Sequence, residues 1–179
     1  MEYRIKPIDK PNGIMMRLGF FFFKRMFGKV IMPAKTIYNR VPGIMFVAKK
    51  FNDVEESLSL DTELSKLIKH HVAATNGCTF CVDINSRNAM DKKVYTDKFM
   101  HMHEFETSSL FSEKEKTAFR YVGSITNHKL VSDELFTALK IHFNDTEIVE
   151  ITYLCAMENF YNCMNIPLGI ESDNLCALV

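Results

Sequence analysis

The sequence carries a series of helix-start signals and few residues that would interrupt a helix. Ser112-Glu-Lys-Glu115 matches a capping box before a helix predicted to reach about Ile125, and Asn144 with Glu147 repeats its spacing. Asp61 and Ser132 stand at the N-cap positions of two further segments. The chain has 7 glycines and 5 prolines in 179 residues, fewer than sandwiches or barrels of many short strands need. The pattern predicts an all-α chain, an antiparallel bundle whose helices are joined by short loops.

The length of the chain suits one globular domain with an N-terminal addition. Prolines and a glycine predict an extended arm over residues 1–13, and residues 14–31 follow as a helix with one basic stripe opposite a wide apolar arc. We expect this Phe-rich helix to pack on its own domain or on a partner subunit, the alternative being an interfacial membrane helix. The prediction is a basic arm and helix over residues 1–36 and a helical domain over residues 37–179.

The formal net charge of zero hides an asymmetry along the chain. Residues 1–50 hold 11 Lys and Arg against 2 Asp and Glu, whereas residues 51–179 hold 11 against 20. The basic segment could meet nucleic acid, an anionic membrane, or the acidic remainder of its own or a neighbouring subunit. Because no recognisable nucleic-acid-reading helix or RNA-binding motif accompanies the charge, we expect no nucleic-acid partner. The wide apolar arc predicts a homo-oligomer.

Cysteine usage points to a reducing compartment and to one close pair. Five cysteines are an odd number, and no cleavable signal is recognisable, so the cytoplasm is the predicted location. Cys78 and Cys81 follow a helix stop at Asn76–Gly77, and a new helix is predicted to open at Cys78. In a helix the two cysteines lie about 60° apart, close enough for a disulfide. The positive end of the helix dipole favours a thiolate there, so the pair is a candidate reactive dithiol.

Other interpretations of the pair are less well supported by the sequence. A structural zinc ion would need a second pair of ligands at suitable spacing, and the βαβ context of thioredoxin is missing. Two reduced structural cysteines at a buried helix start are the remaining alternative. The sequence has no nucleophile elbow, Gly-rich phosphate loop or HExxH motif, and no apolar stretch approaches the ~18 residues that span a bilayer.

Three separated segments resemble one protein family. NGCTFCVDIN, LFSEKEKTAFRYV and the stretch from VSDELFTALK to NIPLGI are similar to the carboxymuconolactone decarboxylase-like superfamily, to which the alkylhydroperoxidase D (AhpD) proteins belong. The resemblance covers roughly residues 37–171. It implies an all-α fold that assembles into dimers, trimers or hexamers, with the CxxC pair at a helix start that faces a cavity.

The resemblance also implies roles for the two cysteines. In the hydroperoxidase members the second cysteine attacks the peroxide and the first resolves the intermediate, which implies attack by Cys81 and resolution by Cys78. An external dithiol then reduces the disulfide, and no prosthetic group or other cofactor is required because the two sulfurs carry both electrons. The decarboxylase members do not depend on a CxxC pair, so its presence argues against lactone chemistry.

Both residues of the family's proton relay are replaced in this chain. The family pattern has a His four residues after the second Cys and a Glu twelve before the first, where this sequence has Asn85 and Lys66. An amide can orient a sulfur by hydrogen bonding but cannot shuttle a proton near neutral pH. Lys66 would lower a thiol pKa if it pointed inwards, although a solvated lysine is the favoured expectation.

Four residues are candidates to substitute for the missing base. His70 and His71 lie on the preceding predicted helix, and His70 ranks first because it shares a face with Lys66. Asp83 and Glu63 are the other candidates. The alternative for the histidines is that they are polar residues near a helix end.

The sequence therefore favours a thiol–disulfide oxidoreductase that reduces a peroxide, in particular an alkyl hydroperoxide, or a small disulfide. A second hypothesis is a non-catalytic oligomeric binding or scaffold protein on the same fold, motivated by the missing relay. The third is a protein recruited to a membrane surface by the basic helix.

Overall fold

The computed structural model describes residues 4–178, and within them it contains eight α-helices and no strand. The helices are α1 (Gly13–Phe27), α2 (Pro42–Glu55), α3 (Thr62–Thr75), α4 (Thr79–Asp91), α5 (Asp97–Met100), α6 (Glu113–His128), α7 (Asp133–His142) and α8 (Asp145–Asn165). A π-helical turn, Ala34–Tyr38, and two 3₁₀ turns, Met102–Glu104 and Leu175–Leu178, complete the elements. The all-α prediction is confirmed. Residues 1–3 of the predicted arm lie outside the described residues.

The helix starts lie where the sequence signals place them. Asp61 accepts the backbone N–H of Leu64 at 2.9 Å, and both predicted capping boxes, at Ser112 and Asn144, have their two reciprocal hydrogen bonds. Cys78 is itself the N-cap of α4. Each cap satisfies amides that the first turn leaves unpaired, which fixes where the helix begins.

Two helix ends differ from the sequence prediction. The helix predicted over residues 14–31 ends at Phe27 because Gly28 takes a left-handed conformation with φ 75°. Helix α6, predicted to reach about Ile125, continues to His128 and ends where Lys129 adopts φ 59°. Both ends are therefore fixed by a left-handed residue that closes the last turn.

The apolar side chains form two clusters. The first, which we call the main core, is built around α3, α6 and α8 and contains fully buried residues such as Leu67, Phe119 and Leu154. The second, the cavity cluster, joins α1 and the π-helical turn to the first turn of α4 and to the C-terminal segment. Its buried members are Met16, Phe20, Phe27, Ile31, Ala34, Ile37, Ala73, Cys78, Phe80, Cys81, Ile170 and Leu175.

Two aspartates hold the C-terminal segment against the cavity cluster. Asp83 of α4 accepts the backbone N–H of Leu175 at 2.9 Å and the hydroxyl of Ser172 at 2.8 Å. Asp173 accepts the backbone N–H of Met32 at 2.7 Å and pairs with Lys29 at 3.0 Å. The segment therefore links α4 to the turn that follows α1.

Helix α1 covers the cavity cluster with one face and leaves a second apolar face exposed. The exposed side chains are Ile14, Leu18, Phe21, Phe22 and Met26. Arg17, Lys24 and Arg25 are also exposed. Within residues 4–178 no helix has both the length and the apolar character to cross a membrane. Homo-oligomerisation and the cytoplasmic location stay predictions.

Candidate active site

The cysteine pair lies at the start of α4, buried beneath the surface. Cys78 and Cys81 form a disulfide with their Cα atoms 5.2 Å apart, and each residue is 1% exposed. Cys78 Sγ accepts the backbone N–H of Cys81 at 3.3 Å, and Asn165 Nδ2 donates to Cys81 Sγ at 3.4 Å. After reduction, hydrogen-bond donors and the helix dipole at these sulfurs would favour a thiolate.

Cys81 lies in the wall of a cavity of about 530 Å³, formed by α1, α2, α4 and α8 together with the π-helical turn. Most of the wall is apolar or aromatic: Phe22, Phe23, Met26, Phe27, Ile31, Tyr38, Met45, Phe80, Ile84 and Tyr161. A cavity of this size suits a small organic molecule, and the apolar wall suits one with a hydrocarbon or aromatic body.

A polar part of the wall surrounds Cys81. Besides the sulfur it contains Lys69, Asn85, Glu158 and Asn165, and we call these five residues the polar patch. Cys81 and Asn85 are one turn apart on α4, whereas Glu158 and Asn165 are two turns apart on α8. The patch is therefore built mainly from two facing helices, with Lys69 added from α3.

Glu158 is an acid in a fully buried position. It is 2% exposed, and its Oε1 accepts a hydrogen bond from Asn162 Nδ2 at 2.8 Å. Burial raises the pKa of Glu158 above its ordinary value, against the opposing effects of Lys69 and of the Asn85 and Asn162 amides. The carboxyl group therefore keeps its proton to higher pH than an exposed glutamate does.

Asn85 has a buried side-chain amide in the cavity wall. The residue is 2% exposed and lies close enough to Glu158 to affect its pKa. Its Nδ2 nevertheless makes no hydrogen bond of acceptable geometry within the described residues. A buried donor without a partner costs roughly 1–3 kcal/mol, so this amide is a candidate to donate a hydrogen bond to a ligand in the cavity.

Lys66, at the family's Glu position, is buried in an ion pair. The favoured expectation of a solvated lysine is wrong, because Lys66 pairs with the buried carboxylate of Glu55 from α2. Glu55 also pairs with Lys69 at 2.8 Å. Burial lowers the pKa of Lys66 and the two lysines lower that of Glu55 despite its burial. Lys69, rather than Lys66, lines the cavity.

The two histidine candidates belong to the surroundings of the main core. His70 packs edge-on against Phe99 and its Nδ1 lies 3.3 Å from Ser86 Oγ, while His71 packs against Phe105 and Phe119. Burial lowers the pKa of each histidine to about 4. Among the described residues that line the cavity, neither histidine is present. The structure therefore does not bring them to the Cys81 sulfur.

The two carboxylate candidates have structural partners instead. Asp83 binds the C-terminal segment, as described above. Glu63 accepts hydrogen bonds from Thr96 Oγ1 at 2.8 Å and from Lys98 Nζ at 3.3 Å, which holds the start of α5 on α3.

Sequence reasoning missed the acid that the structure brings to the cavity. Glu158, Asn162 and Asn165 recur at intervals of four and three residues, which places them on one face of α8. All three are buried. A stripe of polar residues at helical spacing on an otherwise apolar helix was the available signal, since buried polar residues need partners.

Comparisons with known proteins agree with this architecture. No protein-family model matches the sequence. The uncharacterized protein YnjA of Escherichia coli K12 is 28% identical over 178 residues, which cover 97% of this chain and 96% of YnjA. The alkylhydroperoxidase AhpD core structure of a peroxidase-related protein from Ralstonia eutropha superposes with a TM-score of 0.76 over 95% of both chains, at 15% identity. The chain has an AhpD-like fold.

Another solved structure with the AhpD-like architecture carries a different name. The debrominase Bmp8, in complex with 2,3,4-tribromopyrrole, superposes with a TM-score of 0.81 at 18% identity and covers 98% of this chain and 94% of its own. The fold predicted from the three sequence segments is thus confirmed.

Proposed function

We propose that the protein is a thiol–disulfide oxidoreductase that reduces organic hydroperoxides, with Cys81 as the attacking thiol and Cys78 as the resolving thiol. The observation that supports the proposal most is the position of Cys81. Its sulfur lines an apolar cavity of about 530 Å³, and Cys78 is within disulfide distance behind it. Peroxidase-related names among proteins of the same fold support it further.

The reaction divides into two steps on the protein. The Cys81 thiolate attacks the terminal oxygen of ROOH, the O–O bond breaks, and sulfenic acid forms as the alcohol ROH leaves with one added proton. The Cys78 thiol then condenses with the sulfenic acid, which forms the disulfide and releases water. Each cycle oxidises two thiols and reduces one peroxide by two electrons.

An external dithiol completes the cycle by thiol–disulfide exchange. Its first thiolate attacks one sulfur of the pair to give a mixed disulfide, and its second thiol releases the reduced protein as the donor becomes a disulfide. Since Cys78 and Cys81 are buried, the donor has to approach through the cavity or displace part of its wall. We therefore propose a small or extended dithiol as the reductant.

Stoichiometric oxidation of the reduced protein tests the proposal. One equivalent of cumene hydroperoxide is added, remaining thiols are alkylated, and the peptide with Cys78 and Cys81 is examined by mass spectrometry. We expect rapid formation of the disulfide, loss of peroxide consumption in Cys81→Ser, and a sulfenic acid that dimedone traps in Cys78→Ser. Unchanged peroxide consumption in Cys81→Ser would contradict the proposal, and two freely alkylated thiols would favour a binding or scaffold protein.

Reductive dehalogenation is the second candidate function. The observation in its favour is the similarity to Bmp8 over nearly the whole chain, together with the apolar and aromatic cavity wall. In that reaction an aryl bromide and two thiols give the arene, bromide, a proton and the disulfide. Bromide release from tribromopyrrole by the reduced protein, at a rate above that with cumene hydroperoxide, would favour this function.

A further inference from the structure

Helices α4 and α8 pack against each other in the wall of the cavity and make two successive contacts there. The first joins Cys81 to Asn165, whose Nδ2 donates to the sulfur at 3.4 Å. The second brings Asn85 next to Glu158. The contacts are separated by one turn of α4, about 6 Å, and by two turns of α8, about 10 Å. The sulfur and the carboxyl group therefore border one space that is large enough for a peroxide group.

Cleavage of the peroxide requires a proton donor for the leaving oxygen, and the two cysteines do not provide one. When a thiolate attacks ROOH, the leaving oxygen becomes an alkoxide, a very strong base, unless a proton reaches it as the O–O bond breaks. In this chain Asn85 cannot supply the proton, and Lys66 and Lys69 are held by Glu55. His70 and His71 lie outside the cavity wall.

We infer that Glu158 is the proton donor to the leaving oxygen of an organic hydroperoxide, and that the unused Nδ2 donor of Asn85 binds that oxygen. The inference rests on the proposed function and names the residues that replace the relay. The acid reaches the cavity from α8, whereas the corresponding position on α3 carries Lys66.

The surroundings of Glu158 suit both of its protonation states. Burial favours the neutral acid before reaction, and Lys69 from α3 is the cation that stabilises the carboxylate after reaction. Glu55 from α2 opposes the carboxylate charge and Tyr161 lies near it on α8. The Glu158 carboxylate regains through solvent the proton that the Cys81 thiol released, so the cycle leaves the protonation of the site unchanged.

The wall also specifies the kind of peroxide. The polar patch offers hydrogen-bonding groups to a peroxide. Most of the remaining wall offers aromatic and aliphatic side chains such as Phe22, Phe80 and Tyr161, besides the polar side chains of Lys49, Asn52 and Asn88. Hydrogen peroxide would leave that apolar wall uncovered, whereas an alkyl or aryl hydroperoxide would bury its body there. We therefore assign bulky apolar hydroperoxides as the preferred substrate class.

The test compares two oxidants that differ in their need for a proton. Cumene hydroperoxide releases an alkoxide, whereas perbenzoic acid releases benzoate, which needs no proton donor. Disulfide formation is followed by rapid quench in the parent and in Glu158→Gln, whose amide keeps the acceptor oxygen for Asn162. We expect Glu158→Gln to react about 100-fold more slowly with cumene hydroperoxide and to stay within about threefold of the parent with perbenzoic acid.

Glu150→Gln is the matched control. Glu150 is a buried glutamate on the same helix, but its carboxylate binds the backbone N–H groups of Ser59 and Leu60, each at 2.8 Å. It should leave both oxidation rates unchanged. The inference would be overturned if Glu158→Gln slowed disulfide formation equally with both oxidants, or slowed it with neither. Failure of the proposed function would be seen separately, as peroxide consumption that continues in Cys81→Ser.

A measurement on the unaltered protein covers the case in which Glu158→Gln does not fold. The rate of disulfide formation is measured with a series of hydroperoxides and peracids of decreasing leaving-group acidity. A positioned proton donor makes the rate depend only weakly on leaving-group pKa. A dependence as steep as that of a free thiolate in water would overturn the role of Glu158.

Discussion

The main core and the cavity cluster differ in how completely side chains fill the space between their helices. In the main core, Phe119, Ile151 and Leu154 are wholly buried and pack against one another and their neighbours. The cavity cluster instead encloses about 530 Å³ and is covered by α1, whose Phe22 lines the cavity while 61% of its surface is exposed. The main core is filled by side chains, whereas the cavity cluster leaves an open space between its helices.

Helix α8 shows this division along its own length. Its first half contributes Ile151 and Leu154 to the main core, and its second half contributes Glu158 and Asn165 to the cavity wall. Buried polar groups reduce stability unless they are paired, and an empty volume forfeits packing contacts. Their coincidence beside Cys81 indicates that this half is arranged for a ligand, whereas the other half supplies the stability of the fold.

The largest expected difference between the two regions is in the cost of removing a phenyl ring. Phe119→Ala should lower the free energy of unfolding by about 4 kcal/mol, because it leaves a void among aromatic neighbours. Phe22→Ala should cost less than about 1 kcal/mol, since most of that ring contacts solvent or the existing cavity. Urea denaturation of both variants measures the two values. Equal costs would show that the cavity wall is as tightly packed as the main core.

The fold was predictable because its signals are local. Each cap residue, such as Ser112 or Asn144, bonds amides within three residues of itself, so the sequence alone specifies where α6 and α8 begin. Cys78 as the N-cap of α4 follows from the same logic. The end of α1 was placed too late because the apolar pattern continues past Gly28 at Val30 and Ile31, whereas the left-handed conformation of Gly28 ends the helix.

The candidate site was predictable only in part because its remaining contacts are distant in sequence. Asn85 was identified from the family resemblance, because it stands at the position of the family's His, and the structure does place it in the cavity wall. The partner of Lys66 is Glu55, eleven residues away on another helix, and no spacing rule links them. Glu158 reaches Asn85 only because α8 packs against α4, a contact between residues that are 73 positions apart in the sequence.

Acid sensitivity should distinguish the two regions with a smaller effect. The pKa of His70 and His71 is lowered to about 4 in the folded protein, so between about pH 6.5 and 4 the unfolded chain binds protons that the native protein does not. Stability should therefore fall as the pH falls through this window. Each histidine contributes a slope of up to about 1.4 kcal/mol per pH unit.

The measurement is urea unfolding at several pH values between 6.5 and 5. His70→Gln should reduce the slope by the share of one histidine. If His70→Gln and the parent lose stability in parallel, the acid sensitivity comes from other groups. In that case the main core would not be the part of the molecule that responds to pH in this window.

The smallest expected change in stability is that caused by Asn85→Leu. Its sign is the most informative test of the difference between the main core and the cavity cluster. Asn85→Leu removes a buried donor that has no partner in the described residues and places an apolar side chain against an apolar cavity. The free energy of unfolding should rise by about 1 kcal/mol.

Cumene hydroperoxide should at the same time bind more weakly to Asn85→Leu, which raises the concentration needed for half-maximal oxidation of Cys81. Asn127→Leu, at an exposed position of α6 outside the cavity wall, is the control and should leave that concentration unchanged. A filled main core gains nothing from such a substitution, so greater stability with weaker binding would identify Asn85 as a residue kept for its ligand. A destabilised variant with unchanged binding would instead show that the amide has a structural partner, and Asn85 would then belong with the capping residues.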